Sequence, residues 1–152
     1  MRDLSLMVKG TWWDTLLYKG KLHALTPEGD WEIFNWDAVI SELEDAAEES
    51  AKAALQYAFR SSNAISNGTL DRDEVTESFL HAPSGELEIT AKQIRKHLIL
   101  KTDASCSFPS TSMRMHYDRM IISSLKGVYV DYIDPHNTSV QSLKKISSIA
   151  TR

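Results

Sequence analysis

All four tryptophans of the chain fall within the run TWWDTLLYKGKLHALTPEGDWEIFNWD, residues 11–37. Two short-range turn signals, Lys19-Gly20 and Pro27-Glu28-Gly29, divide that run. A stretch so dense in aromatic and branched residues, broken at such intervals, predicts an antiparallel meander. Read with period two, Trp12, Asp14, Leu16 and Tyr18 share one face of a first strand, and Trp13, Thr15 and Leu17 share the other. Both faces carry apolar groups, which predicts cover on both sides. Residues 21–26 read as a second strand and 31–36 as a third, with Trp31 and Ile33 on one side and Phe34 and Trp36 on the other. Glycine accepts the positive φ of the first turn, and proline pre-sets φ at the second. The tryptophans are then sheet packing, or an aromatic recognition surface centred on Trp12, Trp13 and Asp14. Because neighbours point to opposite faces, at most one of the two tryptophans serves a given site.

After the third strand the period changes. Asp37 is placed to cap a helix. Val39, Ile40, Leu43, Ala46, Ala47, Ala54, Leu55, Ala58 and Phe59 then recur at three- and four-residue spacing. With no Gly or Pro before Gly68, one helix is expected over residues 38–63. A second helix is expected over 71–81. Thr90 and Gln93 match a capping box, which predicts a short helix over 91–97, followed by a return to strand at 98–101. Residues 38–97 thus read as a helical insertion, and the fold class as α+β, with antiparallel meanders at both ends.

The chain of 152 residues suits one domain, 1–152. Its net charge of −4 argues against a nucleic-acid footprint, which needs a basic patch or stripe. No apolar run reaches the ~18 residues of a membrane span, and the N-terminus lacks a signal-peptide core. The single cysteine, Cys106, forms no internal disulfide, so a cytoplasmic setting is expected. Residues 63–74 resemble a calcium-binding EF-hand loop in outline, with Gly68, Asp71 and Glu74 in place. Ile65 stands where an oxygen ligand is needed and Asn63 where a carboxylate is, so no calcium binding is expected. The histidines show no zinc spacing, and no metal or cofactor is expected. Cys106 and His116 could form a thiolate–imidazole pair, but "DASCSFPSTS" reads as a polar connector with no activating charge for the thiol.

The two ends of the chain echo one another. "DTLLYKGKLHALTPEGDWEIF" begins at Asp14 and "DRMIISSLKGVYVDYIDPHNTSVQSL" at Asp118. Each has an Asp, an apolar run, Lys-Gly, a second strand and a Pro turn. The matches are Lys19-Gly20 with Lys126-Gly127, and Pro27 with Pro135. Strand, short turn and strand in this order resemble the blade of a β-propeller, over residues 8–37 and 98–146. Propellers close with at least about four blades, so the resemblance implies an opening portion of a larger structure. Val140, Leu143, Ile146 and Ile149 repeat every three residues without a stop signal. They suit a docked terminal helix or a segment that meets a partner. The function expected is non-enzymatic: a protein-interaction module or one piece of a split assembly, bound to a protein partner or to further copies of itself. The alternatives are a small-molecule or peptide binder using the aromatic face, and a hydrolase built on Cys106 and His116.

Overall fold

The Lys19-Gly20 turn forms as its sequence predicts. Both residues lie at positive φ, +47° and +72°, the mark of a type I′ hairpin turn whose twist matches its flanking strands. The computed structural model describes residues 4–59, 85–103, 110–117, 119–132 and 144–147. Around the turn lie β2 (Asp14–Tyr18) and β3 (Lys21–Leu25), followed by β4 (Asp30–Asn35). The second turn closes through the Gly29 amide on the Thr26 carbonyl (3.0 Å) and the Thr26 amide on the Asp30 carbonyl (2.8 Å). The meander is therefore present. Its sheet has a fourth member, β6 (Leu98–Asp103), antiparallel to β4, giving the order β2-β3-β4-β6.

A second four-stranded antiparallel sheet has the order β10-β9-β8-β7, from β7 (Ser110–His116), β8 (Arg119–Ser124), β9 (Gly127–Tyr132) and β10 (Lys144–Ser147). A third, two-stranded sheet pairs β1 (Leu4–Val8) in parallel with β5 (Gly85–Ile89). Among the described residues these are three small sheets, none of them closed. A parallel pair and a strand inserted from residue 98 onward do not fit radially repeated blades, so the propeller resemblance is corrected. The echo itself is out of register: Lys-Gly fills the turn at Lys19-Gly20, whereas Ser124 pairs with Gly127, so the second turn is Leu125-Lys126.

The protein is of mixed α and β structure, mostly strand, and the helical middle differs from expectation. The helix α1 is Trp36–Ala46, not one helix over 38–63. Its cap is Asn35, whose Oδ1 accepts from the Ala38 amide (3.1 Å), and not Asp37. Ala47 and Glu48 are extended, and the chain restarts as α2 (Glu49–Ala54), which passes into a π-helical turn at Leu55–Phe59. Glu44, Asp45, Glu48 and Glu49 would stand as like-charged i,i+4 pairs in a continuous helix. Acids also oppose the negative end of α1, whose last turn has no basic residue, and suit the start of α2. The break relieves both conflicts. β5 is a strand inside the stretch expected to be helical. The short helix α3 (Ala91–Arg95) carries the expected box, Thr90 and Gln93 each satisfying the other's backbone amide. The expected helix at 71–81, the loop at 63–74, and Cys106 and Pro135 lie outside the described residues.

The chain divides into two compact units. One, comprising residues 1–10, 19–21 and 35–97, contains the β1–β5 pair and the helices. There the Gly20 carbonyl accepts from the first amides of α1, those of Trp36 (2.9 Å) and Asp37 (3.3 Å). The other, residues 11–18, 22–34 and 98–152, holds the two antiparallel sheets. Its core joins Leu25, Trp31 and Ile33 from one sheet to Met113, Met120, Ile122 and Tyr129 from the other.

Any side chain at Gly20 meets the Asp37 carboxylate and a left-handed backbone. Gly20→Ala is expected to lower stability by about 1–2 kcal/mol from the backbone conformation alone, and further through the clash. Urea unfolding checks this: adding Asp37→Ala should recover only the steric part.

Candidate functional site

The four tryptophans have four different surroundings. Trp31 is fully buried in the core between the antiparallel sheets, its ring 5.8 Å from that of His23. Trp36 is buried in the helical unit, where its indole N–H donates to the Phe59 carbonyl at the end of the π-helical turn (2.6 Å). Trp12 is half-buried, edge-on to Phe34 at 5.9 Å, with its N–H donated to Glu32 Oε2 (3.2 Å). Trp13 alone is largely exposed, at 52%. Within β2, strand alternation packs Leu16 on the core while Thr15 and Leu17 face outward, and Trp13 is exposed just before the strand begins. The cover expected on both faces of this strand is therefore present on one only.

Asp14, grouped with the tryptophans by the sequence, joins the two sheets. Its Oδ2 accepts from the Met113 amide (2.9 Å) and its Oδ1 from the Thr15 amide (2.8 Å). Four residues on, the Tyr18 hydroxyl donates to the Tyr117 carbonyl. Both links between the strands span 99 residues, so β2 and β7 run side by side in the same direction. Met113 and Met115 face the core with Leu16. Arg114 and His116 therefore lie on the outward side with Trp13 and Leu17, and all four are exposed. On β8, Arg119 is exposed and pairs directly with His116. Arg114 and Arg119 make no ion pair among the described residues.

Glu32 is fully buried within a sheet, an expensive place for a carboxylate. Besides the Trp12 indole, it meets Lys101 Nζ across the β4–β6 register at 3.7 Å, and the same ammonium lies 2.8 Å from Asp30 Oδ2. With one oxygen held by an indole N–H and the other facing the ammonium, the group fastens neighbouring strands. In the helical unit, Glu42 bridges Lys96 Nζ (2.5 Å) and His97 Nε2 (2.8 Å) beside a small niche lined by Val39, Leu43, Ile89 and Gln93. The Lys96 ammonium, and after it the His97 ring, holds the Glu42 carboxyl below the usual 4.5.

Of the C-terminal residues singled out by spacing, Val140, Leu143 and Ile149 lie outside the described residues. Ile146 sits in β10, at a register shift between Lys145 and Ser147 opposite β9, so this part of the segment is strand and not helix. His116 stands edge-on to Tyr117 at 4.7 Å. Among the described residues no group of three or more His, Cys, Asp or Glu is placed to hold a metal, and no helix is long and apolar enough to cross a membrane. Sequence reasoning missed Glu32 with Lys101, Glu42 with His97, and the arginines. For the last, the alternation Met113-Arg114-Met115-His116 was a usable signal. No protein-family model, curated protein or solved structure matches this chain.

Lys101→Met keeps the stem and removes the charge beside Glu32. The expected cost is about 2 kcal/mol, less than the roughly 3–5 kcal/mol of a fully buried pair because Lys101 is half exposed. The unfolding midpoint in urea measures it. Glu42 gives a pH prediction. A carboxyl whose pKa is lower folded than unfolded stabilises the fold above its unfolded value, and that contribution fades as pH falls through the folded value. Glu42→Gln should therefore flatten the acid limb of stability below the ordinary carboxylate value of 4.5 and leave that limb's shape near neutrality unchanged, as followed by urea midpoints against pH.

Proposed function

We propose that this chain is a non-enzymatic interaction module that binds another polypeptide through the outer face of β2. One observation carries the proposal: Leu17, on the outward face of β2, and Trp13, immediately before that strand, are 41% and 52% exposed, while Leu16 between them packs on a core. A tryptophan on a rigid strand offers a large contact area at small conformational cost, and such residues dominate binding energy where they occur at interfaces. Single exposed apolar residues are ordinary. Here Leu17 on β2 and Trp13 just before it flank Thr15, next to a seam that holds the strand in place. Asp14 holds β2 in place at the seam, and Trp12 packs on Phe34 and Glu32 just before the strand.

Trp12→Ala and Trp13→Ala, made separately, divide scaffold from surface. Trp12→Ala loses the Phe34 contact and strands Glu32 without its indole donor, so a loss of roughly 2–4 kcal/mol is expected, somewhat under that of a fully buried tryptophan. Trp13→Ala is expected to change stability by less than about 1 kcal/mol and to abolish assembly, read by sedimentation velocity and by co-purification against the unaltered chain. If both variants only destabilise a chain that is monomeric and partnerless throughout, the β2 face is not a binding surface.

A further inference from the structure

Building on the proposal that β2 is an interaction face, we infer that its partner is a protein presenting an acidic segment beside an apolar side chain. The outward surface at the seam has two parts. Leu17 on β2 and Trp13 just before it supply exposed apolar side chains. Arg114 on β7, the strand beside β2, and Arg119 on β8, one strand further on, supply positive charge. Arg114 pairs with Ile121 and Arg119 with His116, so the two arginines are diagonal neighbours across the β7–β8 ladder. Such neighbours lie within about 7–8 Å of each other, close enough to repel. Neither is neutralised by an ion pair among the described residues. Two guanidinium groups at this spacing suit carboxylates, which they bind as bidentate forks.

The turn between these strands adds to the surface. Tyr117 is 77% exposed and held at φ +55°, a conformation bulky residues seldom adopt, with its carbonyl taken by the Tyr18 hydroxyl. The ring is thereby presented next to His116, edge-on at 4.7 Å. A nucleic acid fits this surface less well. Two arginines flanked by an apolar strip do not track a phosphate backbone, and the chain as a whole carries −4. Charge complementarity here gives specificity and encounter rate, while the tryptophan supplies the anchor.

The test uses the full chain and a fluorescent short peptide alternating Glu with Leu, with matched peptides alternating Gln with Leu and Lys with Leu. A thymidine oligonucleotide serves as a fourth probe. Anisotropy titrations are run at low and at moderate salt, with thermal melts of every variant. The Glu–Leu peptide is expected to bind at least about tenfold more tightly than the Gln–Leu peptide, with the difference shrinking as salt is added. The double variant Arg114→Glu, Arg119→Glu should erase that preference with an unchanged melting temperature, and the single Arg114→Gln should halve it or more. Should the double variant not fold, Arg114→Gln and Arg119→Gln, made singly, carry the same readout. Equal binding of the Glu–Leu and Gln–Leu peptides, lost on Trp13→Ala, would overturn the acidic partner while leaving the β2 face as a binding surface. No peptide binding at all would overturn the acidic partner, and together with unchanged assembly of Trp13→Ala it would remove the interaction face as well. Tighter binding of the oligonucleotide through the same arginines overturns the inference in favour of a polyanion. Self-association abolished by the double charge reversal overturns it in favour of a second copy of this chain.

Discussion

The arrangement of the β-rich unit depends on how two edge strands meet without sharing a ladder. β2 ends one sheet and β7 ends the other. An edge strand exposes a row of backbone donors and acceptors that must be paired, covered or blunted. Here Asp14 and Tyr18 meet that need with side chains, one accepting from an amide and one donating to a carbonyl. A pair of side-chain bonds sets the alignment of the two sheets, and the core of Leu25, Trp31, Ile33, Met113, Met120 and Ile122 then fills the space that the alignment leaves. The outward side of the seam follows from the same alternation that places Leu16 and Met113 inward.

A second constraint is the buried carboxylate of Glu32. An apolar side chain would occupy its position at lower cost in desolvation. Its ties to Trp12 and Lys101 instead restrict which residues of β4, β6 and the segment before β2 can lie opposite one another. A one-residue slip of β6 would move Lys101 to the other face and leave the carboxylate without its cation. The helical unit uses a comparable device at its surface, where Glu42 ties α1 to Lys96 and His97 while the Asn35 amide donates to the His97 carbonyl (2.9 Å). Exposure makes that tie weaker and sensitive to acid.

Local features were legible in advance. The turns at Lys19-Gly20 and Pro27-Gly29, the strands between them and the Thr90–Gln93 box depend on φ preferences and on hydrogen bonds within a few residues, so the residues themselves specify them. The break after Ala46 is equally local and lies in the clustered acids, Glu44, Asp45, Glu48 and Glu49, where the absence of Gly and Pro alone would continue the helix. The propeller resemblance failed for the opposite reason. Strand and turn order in two segments says nothing about which strands become neighbours, and β6 beside β4 and β5 beside β1 are both long-range choices.

By itself, then, the sequence determined where the chain turns, which stretches extend, and which side chains share a strand face. It placed Asp14, Leu16 and Tyr18 on one side of a strand and Thr15 and Leu17 on the other, because successive side chains in extended backbone alternate. Only the tertiary structure decided that Leu16 is packed while Thr15 and Leu17 are open, that Trp12 meets Glu32 and Phe34 while Trp13 is exposed, that Asp14 spans a seam, and that Arg114 and Arg119 are diagonal neighbours on the second sheet. The physical reason is that period two sorts residues into two faces without saying which face meets the core. That depends on contacts between segments 99 residues apart, and no local propensity encodes them.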